Sequence, residues 1–554
     1  MHTLGGGGEF DQIVPKDGNT YIGGPGAVID GTRTARYAFT GRARDVTLRY
    51  LTIQAFGAPG TNNNEGVVNH DAGSGWTVEF NTIQGNAGAG LFMGSGNIAR
   101  YNCLLDNEQY GVSMYLPPTS DGKNAITDIT LDHNEIAGNN TYDWESKIAG
   151  CGCTGGAKFW DVGGARISNN WVHHNKGVGL WADTNNVDFL VEGNYIEEND
   201  GMGFFYEISY NAVVRNNVFK RNAIKTGLEF QARGDNFPLG AIYLSEAGGD
   251  ARVSSALTGT TNLEITGNRF EDNWDGVVLW ENADRFFNSL ANTSGTAYVP
   301  KGGVASTSTC NDPAAGGSIN VEPAYSDCRW KTQNVKVSGN SFTFDPAAIA
   351  CTSGFCGRNA VFSQYGTYPA WSPYKGWAIS DAITSNQGNV WSNNTYVGPW
   401  KFVVHDTGRT VSASTWQASP YNHDAGSTLS ASDSTTTEPA PTTTTTAPPT
   451  TTTTAPVNGN HLNADTTGME ESVGSWVPWY SAGISRSTLH SHTGIASARI
   501  DIGAPDGWGV QLDNWPGFAA TPGPKTIGFW GYLDSGSNLG ATMTVRWRND
   551  AGID

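Results

Sequence analysis

Five ionisable residues recur within or just after short apolar runs that open with Gly. They are Lys158 in Gly156-Ala-Lys-Phe-Trp-Asp, Asp183 after Gly179-Leu-Trp-Ala, Glu207 after Gly203-Phe-Phe-Tyr, Glu246 after Gly240-Ala-Ile-Tyr-Leu-Ser, and Glu281 after Gly276-Val-Val-Leu-Trp. Carboxylates beside flat aromatic rings suit sugar binding and proton transfer. Lys158, with Arg233, could neutralise a carboxylate on a substrate. The same oxygens could instead collect a calcium ion, or form a solvated acidic stripe.

A repeat decides which of these side chains share a wall. Asn, an apolar residue two places on, and a second Asn five places after the first recur seven times: Asn81/Asn86, Asn102/Asn107, Asn134/Asn139, Asn170/Asn175, Asn194/Asn199, Asn217/Asn222 and Asn268/Asn273. Weaker copies stand at Asn340 and Asn394. Without insertions the period is only 21 to 24 residues, as from Asn81 to Asn102 and Asn170 to Asn194. That is too short for a helix plus strands, and a unit so small must stack on its neighbours to bury its apolar face. Asn is expected at the turns because it tolerates left-handed backbone. Stacked Asn side chains can also bond one another in ladders.

The pattern resembles that of the right-handed parallel β-helix proteins of the pectin-lyase-like superfamily, over roughly residues 20 to 400. The resemblance implies an all-β fold: a right-handed parallel β-helix solenoid, then a Thr/Pro linker and a partial β-sandwich of jelly-roll type. It does not by itself imply one activity, because the superfamily holds hydrolases, lyases, epimerases, tailspikes and adhesins. The paired Asp motifs of the polygalacturonases are missing. Asp132-His133 has a superficial likeness to a pectate-lyase motif, but falls on a different sheet from the aromatic wall.

Stacking turns the sequence into a map. After each Gly the first residue faces the core and the second faces solvent. One outward column then reads Phe92, Trp181, Phe205, Tyr243. A second reads Asp183, Glu207, Glu246, Glu281, with Lys158 near its start and Trp160 and Trp280 along it. Neighbouring coils put Asp183 and Glu207 ~5 Å apart at Cα, and Asp183 and Glu246 ~10 Å apart. Both values approach the carboxyl separations of glycosidases. Long insertions between the second Asn and the Gly, 139 to 156 and 222 to 240, leave the same edge and bracket these coils. More insertions, at 116–128, 247–261 and 282–334, leave the opposite edge, so a floor with two walls is expected.

Composition narrows the partners. Lys and Arg number 33 against 52 Asp and Glu, a net charge of −19, which argues against nucleic acid and anionic membranes. No run of ~20 apolar residues could span a bilayer. The start lacks an apolar signal-peptide core and the end stops just after a strand-like run, so the chain reads as a piece of a longer one. Cysteines at 310/328 and 351/356 lie where loop disulfides would form. Cys151-Gly-Cys153 is awkward as a pair, and Cys103 reads as a buried thiol. His173 and His174 read as surface turn residues.

Residues 1–428 are therefore expected to form the β-helix, 429–457 a Thr/Pro linker, and 458–554 a truncated module. That module resembles a carbohydrate-binding module, and Trp479 and Tyr480 are its candidate sugar contacts. The expected function is a secreted, monomeric polysaccharide-active protein hydrolysing glycosidic bonds. Asp183, Glu207 and Glu246 would be its acid/base or nucleophilic groups, and Lys158, Trp160, Trp181, Phe205, Tyr243, Trp280 and Glu281 its substrate contacts. No cofactor is required and calcium is admitted. Two alternatives stay open: a calcium-assisted lyase or epimerase on a uronate polymer, and a non-catalytic glycan-binding or adhesive surface protein.

Overall fold

The computed structural model describes residues 2–3, 12–60, 66–117, 123–282, 321–352, 354–363, 373–374 and 376–430, and four strands between 476 and 512. The chain divides into two compact units, Met1–Thr437 and Glu438–Asp554.

The first unit is a parallel β-helix. Three sheets of 13, 11 and 10 strands run its length, and successive coils contribute strands to each in turn. Strands pair coil to coil in parallel register, so Ile83, Leu104, Ile136, Val172, Ile196, Phe219, Phe270, Phe342 and Tyr396 form one inward column. All are buried. Burial of each contributes roughly 1.5–3 kcal/mol. Further along, the column becomes a stack of rings, with Phe270 and Phe342 centroids 4.4 Å apart.

The Asn repeat holds the turns. Asn81, Asn102, Asn134, Asn170, Asn194, Asn217, Asn268, Asn340 and Asn394 form a buried ladder. In each step the backbone N–H and the carboxamide of one Asn donate to Oδ1 of the next, as from Asn134 to Asn170 at 2.9 and 3.0 Å. The second ladder, Asn86 through Asn273, repeats this, as from Asn139 to Asn175 at 3.1 and 3.0 Å. The ladder residues do not themselves take left-handed backbone. The left-handed φ falls one residue earlier, at Phe80, Tyr101, His133 and Asn169 before the first ladder and at Gly85, Asp106, Gly138 and His174 before the second. The Asn is thus selected for its carboxamide, which satisfies buried backbone groups on two neighbouring coils.

The ten-stranded sheet carries the candidate site. In chain order its parallel strands are Leu91–Phe92, Tyr110–Met114, Gly155–Phe159, Leu180–Ala182, Phe204–Glu207, Gly240–Ser245, Asp275–Trp280, Arg358–Phe362 and Lys401–His405. Thr410–Val411 pairs antiparallel with the last and closes that edge. Both expected insertions on its near side are present. The first includes the helix Trp144–Lys147, the second the helix Ile224–Arg233. Gly227 of the second helix sits so close to Trp274 that a Cβ there would lie 2.1 Å from the indole. Arg358 ties the end of this insertion down, donating to the Asn236 carbonyl at 3.0 Å and to buried Asp275 at 2.9 Å.

The last strand of the solenoid, Thr428–Ser430, continues past residue 428 into the segment expected to be linker. In the second unit Trp476–Trp479 pairs antiparallel with Gly509–Leu512, and Ala482–Ser487 with Ser497–Ile502. Trp479 lies in the first of these strands, while Tyr480 lies outside the described residues.

Candidate functional site

Two outward rows cross the ten-stranded sheet. The first is Phe92, Ser113, Lys158, Trp181, Phe205, Tyr243, Val278, Ala360 and Val403. Two residues on, the second runs through Tyr115, Trp160, Asp183, Glu207, Ser245, Trp280, Phe362 and His405, in the register fixed by the same pairings.

Where the rows meet on three successive strands, charge is concentrated. The Lys158 ammonium lies 2.6 Å from Oδ2 of Asp183. It also donates to the Gly152 carbonyl at 3.0 Å and stands 3.1 Å from the centre of the Trp181 ring. Trp181 in turn donates its indole N–H to Glu207 at 2.9 Å. Asp183 accepts from the Thr184 hydroxyl at 2.9 Å through its other oxygen. Lys158, Asp183 and Glu207 are all buried, at 7%, 7% and 6% exposure, so this is a desolvated cluster and not a surface stripe. Burial pushes the Lys158 pKa down, against the opposing pull of Asp183 and Glu207. Tyr110, pushed up by burial and by Asp183, donates to the same Gly152 carbonyl at 3.4 Å.

Gly152 reaches the cluster on a loop closed by a disulfide between Cys151 and Cys153, a pairing that the sequence alone makes awkward. The left-handed φ of Gly152 turns the short loop and aims its carbonyl at Lys158. Cys351 and Cys356 are bonded as expected. Cys328 is also in a disulfide, but its expected partner, Cys310, lies outside the described residues. Cys103 is a half-buried free thiol, pushed up to about 12 by burial and by Glu135.

Four expectations are corrected. Glu246 does not face outward. Ser245 takes the outward place in its row, and the left-handed φ of Glu246 turns that side chain away from the row. It is fully buried, accepting from the Ser245 hydroxyl at 2.6 Å and the Asn282 N–H at 2.5 Å. Glu281 is likewise buried. It is ion-paired to Arg329 and accepts from the Thr332 N–H at 3.0 Å and the Gln387 carboxamide at 2.8 Å. Phe205 and Tyr243 are not open platforms. Phe237, delivered by the second insertion, packs on Tyr243 at 6.2 Å and on Trp280 at 5.3 Å, and it closes over that part of the row. His173 is buried against Trp171 at 3.8 Å rather than lying on the surface.

Of the other candidates, some lie on the two rows and some lie apart from them. Trp181 and Phe205 stack at 5.2 Å, with Trp181 partly exposed. Trp160 meets the exposed Tyr115 edge to face at 5.7 Å, one strand before Asp183. Asp132 and His133 bond each other at 2.8 Å at the end of a strand of the eleven-stranded sheet, apart from this cluster. Arg233 pairs with Asp235 at 3.0 Å at the end of the second helix. The four-carboxylate calcium column is not assembled, because Glu246 and Glu281 turn away. Among the described residues no three His, Cys, Asp or Glu side chains converge on a metal-sized site. No helix among them is long and apolar enough to cross a membrane.

The family model described as right handed beta helix region matches residues 67–254, in agreement with the parallel coils. No curated protein sequence matches the chain. Similar solved structures include the A-module of mannuronan C-5 epimerase AlgE4 from Azotobacter vinelandii, with TM-score 0.36 and 12% identity over 73% of this chain and 84% of that one. The A-module of AlgE6 from the same organism gives 0.34 and 12%, over 62% and 82%. A DFA-IIIase mutant from Arthrobacter chlorophenolicus A6 gives 0.22 and 11%, over 74% and 72%. Each of these similarities is weak.

Proposed function

We propose that this protein is a polysaccharide-active enzyme whose acid/base centre is Lys158, Asp183 and Glu207. One observation carries the reading. Two carboxylates and an ammonium occupy three successive strands on the outward face of a solenoid, out of bulk water, with aromatic residues along the same row on both sides. Tyr115 and Trp160 precede Asp183, and Trp280 follows Glu207 and Ser245. Stability does not require such a cluster, since a well-packed apolar trio would serve as well or better. Desolvated ionisable groups collect where chemistry is done. The exposed Tyr115 ring and its neighbour Trp160, just before the charges, fit a sugar ring lying along the row.

Hydrolysis is the first chemistry this supports. Asp183 and Glu207 stand one strand spacing apart, ~4.8 Å at Cα, a placement compatible with either the closer or the wider carboxyl pair of glycosidases. A second reading rests on Lys158. It is the group whose proton burial loosens, and a lysine with lowered pKa suits abstraction of a proton beside a uronate carboxylate, as in a lyase or epimerase. Secretion, the linker and a carbohydrate-binding second unit with Trp479 and Tyr480 as sugar contacts belong to the same proposal.

The test is turnover of a panel of neutral and uronate polysaccharides by the full chain and by Asp183→Asn, Glu207→Gln and Lys158→Met, with calcium and with a chelator. New reducing ends without unsaturation indicate hydrolysis, unsaturated ends a lyase, and solvent deuterium in the polymer an epimerase. Each activity is expected to fall at least a hundredfold in the variants. Turnover that survives all three would refute the placement, and glycan binding without turnover would leave a binding protein.

A further inference from the structure

At the far edge of the ten-stranded sheet, where the strand Asp275–Trp280 ends, segment 326–334 meets segment 382–388. Between them lies a pocket of about 450 Å³. Its wall is polar and cationic, with Arg329, Lys331, Gln333, Asn334, Asn386 and Gln387 among the lining residues.

Donors and acceptors here do not balance. The nearby carboxylates are committed: Glu281 to Arg329, Thr332 and Gln387, and both Asp250 and Asp327 to Arg252. Gln333 and Asn334 both donate to the Gly249 carbonyl, at 3.1 and 2.9 Å. Two cationic donors remain unused. Arg329 is only 5% exposed, and its Nε–H has no acceptor although both terminal nitrogens are engaged. Lys331 is half-buried. Its backbone N–H donates to the Tyr210 hydroxyl at 2.9 Å, but its ammonium has no ion-pair or hydrogen-bond partner among the described residues. Burial, Arg329 and Arg252 disfavour that charge, while Asp327 and Asp250 favour it. An ammonium without a partner and a guanidinium that line the same pocket are a donor pair that an oxyanion completes.

We propose that this pocket binds the carboxylate of an acidic saccharide, held by Lys331 and Arg329, with the Asn386 carboxamide left for a neighbouring hydroxyl. Glu281 then acts as a positioning residue, fixing the guanidinium from behind. The pocket stands beside the strand three places along the sheet from that of Asp183, roughly 14 Å along the axis. One glycan could therefore span the two sites. The anion site stands on the geometry above, and the saccharide rests on the reading of the protein as polysaccharide-active.

Calorimetric titration of the full chain with sodium glucuronate, sodium sulfate and glucose tests this. Glucuronate is expected to bind, with no heat from glucose. Lys331→Met should weaken glucuronate at least tenfold, Lys331→Arg should largely restore it, and Asp183→Asn should leave it unchanged. Near-ultraviolet circular dichroism checks that the variants fold. Equal glucuronate affinity in wild type and Lys331→Met, or none in wild type, overturns the proposal. Sulfate binding as tightly as glucuronate, with the same dependence on Lys331, overturns the saccharide assignment. Turnover enters none of these readouts, so a failed active-site assignment with intact glucuronate binding is a separate outcome.

Discussion

Replacing Lys158 by Met tests whether the central cluster is as desolvated as its geometry implies. The side chains of Lys158 and Asp183 are 8% and 10% exposed. Removing the ammonium leaves Oδ2 of Asp183 without its 2.6 Å partner, and only the Thr184 hydroxyl stays on the carboxylate. Breaking a buried pair in this way costs about 3–5 kcal/mol. Asp183→Asn is expected to cost less, about 2–3 kcal/mol, because the ammonium keeps the Gly152 carbonyl and the face of Trp181. The double variant leaves neither charge stranded and should lie within about 1 kcal/mol of wild type. The coupling between the two positions is then at least about 4 kcal/mol. Urea unfolding of the four proteins at pH 7, followed by tryptophan fluorescence, measures the cycle. Turnover should not recover in the double variant even though stability does. Single-variant costs below about 1 kcal/mol that simply add are the behaviour of a solvated surface pair, and would refute the argument that this cluster is held out of water.

Two further outcomes test the solenoid itself. Asn170→Ala removes a side chain that accepts from the Asn134 N–H at 2.9 Å and donates to the Leu131 carbonyl at 2.8 Å. Two buried backbone groups lose their partner, at about 1–3 kcal/mol each; a urea midpoint unchanged from that of Asn169→Gly, at the neighbouring left-handed position, would show the ladder to be dispensable. Second, His423 lies buried against Trp416 and Trp391, its pKa lowered to about 4 chiefly by burial. The unfolded chain takes up this proton near pH 6.5 and the folded chain only near 4, so stability present above 6.5 is lost as pH falls towards 4, by about 3 kcal/mol. Unfolding of wild type and His423→Phe at pH 7 and 4.5 should show a markedly smaller acid loss in the variant; equal losses would place the acid sensitivity elsewhere.

The solenoid is legible in the sequence because its determinants are local and repeated. One apolar residue between two Asn residues, recurring every 21 to 24 positions where nothing is inserted, leaves stacking as the way to bury Ile83, Leu104 and Val172. Period-2 alternation after each Gly then places Lys158, Trp181, Asp183 and Glu207 together on one face. Alternation stops being a guide at strand ends. Glu246 takes a left-handed φ and Glu281 follows the last residue of its strand, and each turns inward to meet partners far along the chain. Phe237 belongs to the second insertion and has no counterpart in the repeat, so only the docking of that insertion brings it over Tyr243.

The Arg329–Lys331 pocket is out of reach of the sequence for a related reason. Its two walls come from segments 326–334 and 382–388, and neither carries a periodic signal. Charge spacing along one segment says nothing about whether a carboxylate from another will arrive to neutralise it. In this fold the interior is set by a repeat that any coil can satisfy, so interior residues are interchangeable in role and easy to read. Outward positions are free of that constraint, and what they do depends on which insertions close over them. The first insertion supplies the Gly152 carbonyl that holds Lys158, and the second supplies Phe237. The segment after Trp280 supplies Arg329, without which Glu281 would be a stranded buried carboxylate. Altering an insertion should therefore change the chemistry of the face while leaving the Asn ladders and the core intact. That separation is what lets one solenoid carry a desolvated charge cluster at one place and a cationic pocket at another.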